Sequence, residues 1–60
     1  MTEQQEQELI AFSLDPSRSV LERKKILDWI LELQAAAETH PVWANDKAQR
    51  LIAQYTKRSA

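Results

Sequence analysis

The side chains of this chain that could do chemistry are few. Asp28 and Glu32 lie one helical turn apart, a spacing at which two carboxylates could share acid–base work. Lys24 and Lys25 precede them by one turn, so the four charges are typical of ion pairs on a solvent-exposed helix face. We therefore assign no catalytic role to the carboxylate pair.

Metal and cofactor chemistry also lacks the residues that it needs. His40 is the single histidine and cysteine is absent, so a zinc site would depend on loosely spaced carboxylates. Glycine is absent as well, which excludes a glycine-rich phosphate loop. The hydroxyl side chains stand mostly near predicted helix ends, without a neighbouring base to activate them. The sequence predicts no enzyme, and no catalytic, metal or cofactor-binding residue.

Length and composition predict one small domain that spans residues 1–60. Sixty residues are near the lower limit for folding without disulfides, metals or partners. The first eight residues are rich in acids and amides, unlike a signal peptide, and no apolar run approaches the roughly 18 residues of a membrane span. We expect a cytoplasmic protein with no membrane partner.

The charges are unevenly distributed along the chain. Residues 1–15 contain acids and no base, whereas residues 39–60 contain four bases and one acid, Asp46. This pattern can complement helix dipoles, with acids near a helix start and bases near a helix end. It can also favour antiparallel association of two copies, or an acidic partner at the C-terminal end.

Three helices are predicted, at about 3–14, 17–38 and 42–57, because Pro16 and Pro41 fall where helices begin rather than break. The first helix has a capping-box signal at Thr2, with Gln5 three residues later. The third has Thr39 or His40 as its cap, since Pro41 disfavours helical geometry at the residue before it.

The start of the second helix has two alternatives. Asp15 can cap it with Pro16 at the first helical position, or Ser19 can cap it with Glu22 closing a capping box. Both signals lead into the same helix. The fold class is therefore all-α: a three-helix protein or long helical hairpin with a short N-terminal helix.

The second helix is too apolar to be covered by the rest of so short a chain. Large apolar residues fill six of eight consecutive positions, far more than the roughly 100° stripe of a surface helix. We predict a homodimeric helical bundle in which this helix mediates self-association. A monomer that binds another protein through the same face is the alternative. The self-association residues are Ile26, Leu27, Trp29, Ile30, Leu31 and Leu33.

The third helix carries the candidate partner-binding residues Trp43, Lys47 and Arg50. Its apolar stripe predicts packing on the second helix, and Trp43 falls off that stripe; the stripe is Ala44, Ala48, Leu51, Ile52 and Tyr55. Trp43 can fold back as a lid over the second helix. It can also be an exposed aromatic anchor beside two bases, which suits a protein with an acidic or partly apolar surface.

A DNA-binding interpretation is the runner-up. The third helix presents residue types that can contact base edges, namely Asn45, Lys47, Gln49, Arg50 and Gln54, and Lys57 and Arg58 could contact phosphate. The chain is slightly acidic overall and has no domain-wide basic face, so we do not expect nucleic acid as its partner.

The functional hypothesis is a small protein-interaction module that acts as a homodimer. It would bind an unidentified protein and regulate or inhibit it, in the manner of small bacterial, plasmid or phage regulators. A small dimeric helix-turn-helix-like DNA-binding regulator is the alternative, and a structural subunit of a larger assembly comes third.

Overall fold

The computed structural model describes residues 1–58, with side chains through Thr56. These residues form three helices and no strand: α1 at Glu3–Ser13, α2 at Val20–Ala37 and α3 at Pro41–Arg58. The prediction of an all-α, three-helix fold is confirmed.

The start of α1 has the predicted capping box. The Thr2 hydroxyl accepts from the Gln5 backbone N–H at 3.1 Å, and the Gln5 side-chain oxygen accepts from the Thr2 backbone N–H at 3.0 Å. Two backbone donors at the helix start, which have no partner within the helix, are thereby satisfied.

Helix α2 begins at Val20, three residues later than the position predicted from Pro16. Ser19 is its N-cap and accepts from the Glu22 backbone N–H at 3.1 Å. The competing cap, Asp15, instead accepts from the backbone N–H and the hydroxyl of Ser17, at 3.0 and 2.8 Å. This local Asx-type turn draws the segment before Ser19 out of the helix.

Helix α3 begins at Pro41, after a three-residue connection. The carbonyl oxygen of His40 accepts the first bond of the helix, from the Ala44 backbone N–H at 3.0 Å. Proline suits the first helical position because its missing N–H would have no partner there.

Three long-range hydrogen bonds show the relative directions of the helices. Glu6 near the start of α1 accepts from the Gln34 side chain near the end of α2 at 2.7 Å, so these helices are antiparallel. Gln5 donates to the Asn45 carbonyl at 3.3 Å and to the Gln49 side chain at 3.2 Å, so α1 and α3 run parallel.

One core fills the space between the three helices. Helix α1 contributes a single large buried side chain, while α2 and α3 supply the rest. The core residues are Leu9, Ile26, Ile30, Leu33, Ala44, Ala48, Leu51, Ile52 and Tyr55. All five residues of the predicted α3 stripe are among them, which confirms that stripe as the packing face.

Candidate functional site

The structure divides the predicted self-association residues between the core and the surface. Ile26, Ile30 and Leu33 are 0, 4 and 0% exposed, because α1 and α3 together cover that side of α2. Leu27 and Leu31 remain 46 and 64% exposed. Of the predicted set, Leu27 and Leu31 thus form the exposed apolar stripe, and the part of the set that faces solvent is smaller than predicted.

This stripe continues onto α1. Starting from the exposed Glu6–Gln34 hydrogen bond, one turn along each antiparallel helix leads to Ile10 and Leu31, and a second turn leads to Leu14 and Leu27. All four side chains are at least 38% exposed. We call Ile10, Leu14, Leu27 and Leu31 the α1–α2 face. The sequence analysis assigned self-association to α2 residues alone, so it missed the α1 half of this face.

Trp29 lies on the other side of α2, at its contact with α3. The ring is half-buried against the core, and the Lys47 ammonium lies 4.9 Å from the ring centre. A cation over an indole face is attracted by the ring quadrupole. Lys47, predicted to contact a partner, is therefore held by Trp29 within the chain.

Trp43 is neither fully exposed nor a closed lid. Its side chain is 48% exposed, and together with Ala36 and His40 it lines an open, mainly apolar recess of about 370 Å³. We call this hollow the Trp43 recess. It lies where α2 ends and α3 begins, so the short turn between them fixes one rim and the two helices fix the others.

Arg50 has a partner on its own helix. Its Nε lies 3.0 Å from the Asp46 carboxylate, with both side chains largely exposed. An exposed pair of this kind contributes little to stability and exchanges readily with other charges. Arg50 stands two turns from Trp43, so it borders the recess side of α3 without lining the recess.

Three of the side chains considered for base recognition have contacts within the chain. Lys47 lies over Trp29, Gln49 accepts from Gln5, and Arg50 pairs with Asp46. The side chains of Lys57 and Arg58, considered for phosphate contact, lie outside the described residues.

Arg18 forms a buried node that sequence reasoning missed. Its side chain is only 9% exposed; it donates to Glu22 at 3.1 Å and to the Tyr55 carbonyl at 3.1 Å. Its guanidinium also lies 5.1 Å from the centre of the Phe12 ring and 5.3 Å from that of Tyr55. Arg18 thus joins all three helices, and its role is structural. The sequence offers one weak indication of this role, the spacing of four residues between Arg18 and Glu22 that suits an ion pair.

The carboxylates considered for acid–base chemistry lie on the surface of the fold. Asp28 and Glu32 are both exposed. The pKa of Asp15 is lowered, first by the hydrogen bonds from Ser17 and then by the charges of Arg18 and Arg23. This shift belongs to the turn before α2. Among the described residues, no three His, Asp or Glu side chains come together as metal ligands.

Comparisons with protein-family models, curated proteins and solved structures give no match. None of the described helices combines the length and the apolar character that crossing a bilayer requires. Function is therefore inferred from the two surfaces that the fold leaves open, the α1–α2 face and the Trp43 recess.

Proposed function

We propose that this protein is a small, non-enzymatic, cytoplasmic interaction module that binds another protein and regulates or inhibits it, acting as a homodimer. The partner is held at the Trp43 recess and by the nearby Arg50 of α3. This is the mode of action of small bacterial, plasmid or phage regulators.

The observation that carries the proposal is the half-exposed Trp43 at the rim of the recess. A tryptophan that leaves 48% of its surface in water keeps a large apolar area available for contact. Rigid aromatic side chains beside a cavity are enriched among the residues that dominate binding energy. Ala36 and His40 supply the walls against which an apolar side chain of a partner can pack.

The charges beside the recess favour an acidic partner. Arg50 lies two turns after Trp43 on the same side of α3 and its side chain is 76% exposed, whereas Lys47, one turn after Trp43, is engaged with Trp29. In the free protein, the Arg50 guanidinium pairs with the exposed carboxylate of Asp46. A carboxylate of the partner can replace Asp46 by forming two parallel hydrogen bonds to the guanidinium. The matching partner surface has an apolar residue with a carboxylate close by.

The intramolecular contacts of α3 support a protein partner over DNA. Base recognition requires several side chains of one helix to extend freely into a groove. Here Lys47 and Gln49 are already engaged with Trp29 and Gln5.

Affinity purification from nuclease-treated lysate of the source cell tests the proposal. The bait is compared with a Trp43→Ala variant and with Val42→Ala as the matched control, since Val42 is 82% exposed and does not line the recess. We expect a protein that the native chain and Val42→Ala retain and that Trp43→Ala loses, with at least roughly 2 kcal/mol of binding free energy removed. Equal retention by all three chains would contradict the proposal.

A further inference from the structure

We infer that the α1–α2 face is the interface between two copies of this chain, which associate with their α2 helices antiparallel and leave both Trp43 recesses open. The inference builds on the proposed function, of which it specifies the homodimer. A second copy is chosen as the occupant because the charges bordering the face complement one another only when the face meets itself in reverse.

The apolar part of the face is continuous. Counted in helical turns from the Glu6–Gln34 hydrogen bond, Leu27 and Leu31 on α2 lie level with Leu14 at the C-cap of α1 and with Ile10 on α1. Val20 extends the same stripe of α2 with 71% of its surface exposed. Water contact with such a stripe is unfavourable in proportion to its apolar area. A domain of this length has little stability to spare, so covering the stripe would matter for its folding.

The two ends of the stripe carry opposite charges. Lys24 is exposed and lies on the stripe at the N-terminal end of α2. At the other end stand the exposed Glu38 and the carboxylate of Glu6, which the Gln34 amide holds at 2.7 Å. A twofold axis between Leu27 and Leu31 would place Lys24 of each copy beside Gln34, and hence Glu6, of the other.

The parallel arrangement is disfavoured by the same residues. It would set Lys24 against Lys24 and the acidic ends against each other, and like charges across an interface cost free energy. An antiparallel pair also has the closed twofold symmetry of most soluble homo-oligomers, in which both copies use the same surface.

Dimerisation through this face leaves the recess accessible. Leu27 and Ala36 are nine residues apart, which at about 100° per residue places them on opposite sides of α2. Ala36 lines the Trp43 recess, so each copy would present its recess away from the twofold axis. The dimer would hold two partner molecules, or two sites of one partner, with the gain in avidity that bivalence gives.

Cysteine pairs test the antiparallel register, because the native chain has no cysteine to interfere. An equimolar mixture of Lys24→Cys and Gln34→Cys chains should form a mixed disulfide faster than Lys24→Cys forms one with itself. Lys24→Cys mixed with Gln54→Cys measures random collision, since Gln54 is exposed on α3. Dominant self-cross-linking of Lys24→Cys, or mixed cross-linking no faster than with Gln54→Cys, would overturn the inference.

A charge on the face provides a test that is independent of disulfide chemistry. Leu31→Glu should halve the sedimentation mass, whereas Val42→Glu, equally a change from an exposed apolar residue to an acid, should leave it unchanged. Circular dichroism of both variants confirms that the helices are retained. If Leu31→Glu sediments as the native chain does, the face is not the interface. A monomeric native chain that still loses its partner on Trp43→Ala would overturn the dimer and leave partner binding standing.

Discussion

The guanidinium of Arg18 donates a hydrogen bond to the carbonyl oxygen of Tyr55 at 3.1 Å, across 37 positions of the chain. Tyr55 is in the last turn of α3, where the carbonyls form the negative end of the helix dipole. The turn between α1 and α2 therefore supplies the cation that fixes the end of α3. Both recess-forming helices are positioned at their far end by this one side chain.

Replacing Arg18 should destabilise the fold far more than its place in a turn suggests. Arg18→Ala removes charge-assisted hydrogen bonds and two cation–ring contacts, so we expect a loss of about 2–3 kcal/mol in the free energy of unfolding. Urea denaturation measures it. Arg50→Ala is the control, with an expected change within about 0.5 kcal/mol because its ion pair is exposed. Similar losses for both variants would contradict the structural role of Arg18.

The contact between Lys47 and Trp29 should be measurable as a coupling energy. A double-mutant cycle of Lys47→Ala and Trp29→Ala should give about 0.5–1 kcal/mol, the range of a partly exposed cation–ring contact. The same cycle with Arg50→Ala in place of Lys47→Ala is the control and should give no coupling. A coupling of zero for the Lys47 cycle would mean that the ammonium is free for a partner.

The nearly isosteric change Gln5→Glu should lower the stability of the fold in a pH-dependent way. Gln5 is 8% exposed and its amide donates to the Asn45 carbonyl; in Gln5→Glu a carboxylate oxygen would face that carbonyl. Desolvation and the lost donor would raise the pKa of the new carboxyl in the folded state. At neutral pH the ionised carboxylate should lower the free energy of unfolding by about 1–3 kcal/mol. This loss should disappear as the pH falls below about 4, because the carboxyl is then protonated in both the folded and the unfolded state. Gln4→Glu, on the exposed side of the same turn, should show no such penalty.

The native carboxylate of Asp15 should stabilise the fold at neutral pH, the opposite of the carboxylate introduced by Gln5→Glu. Its pKa is lowered in the folded chain, by the hydrogen bonds from Ser17 before the charges of Arg18 and Arg23. Ionised Asp15 thus favours the folded state above its unfolded pKa of about 4, and this contribution is lost as the pH falls through the lower, folded value. Asp15→Asn should be less stable than the native chain at pH 7, and the two should converge in acid. Parallel stability curves for the two chains would contradict this assignment.

The sequence predicts the helices well because their signals are local. Thr2, Ser19 and Pro41 each act on backbone groups within four residues. The apolar stripe of α3 follows from the spacing of its apolar residues at the helical period. The two faces of α2 could not be assigned in this way. Six of the eight positions from 26 to 33 are apolar, so periodicity does not tell which side α1 and α3 cover.

The recess and the Arg18 node depend on contacts between distant residues. The half-burial of Trp43 arises because the turn at His40 brings α3 back along α2 beside Ala36. The sequence alone indicates a solvent-exposed loop charge at Arg18, whereas in the folded chain its guanidinium packs against the rings of Phe12 and Tyr55. No spacing within a single helix indicates either arrangement.

Self-association is common to the proposed function and to the assignment of the α1–α2 face, and sedimentation equilibrium of the native chain tests it most directly. Across micromolar concentrations we expect a mass of twice the 7.0 kDa of one chain, falling toward the monomer on dilution. The melting temperature should rise with concentration over the same range, because association stabilises the folded state by mass action. A mass of one chain at every concentration, with a constant melting temperature, would contradict the account.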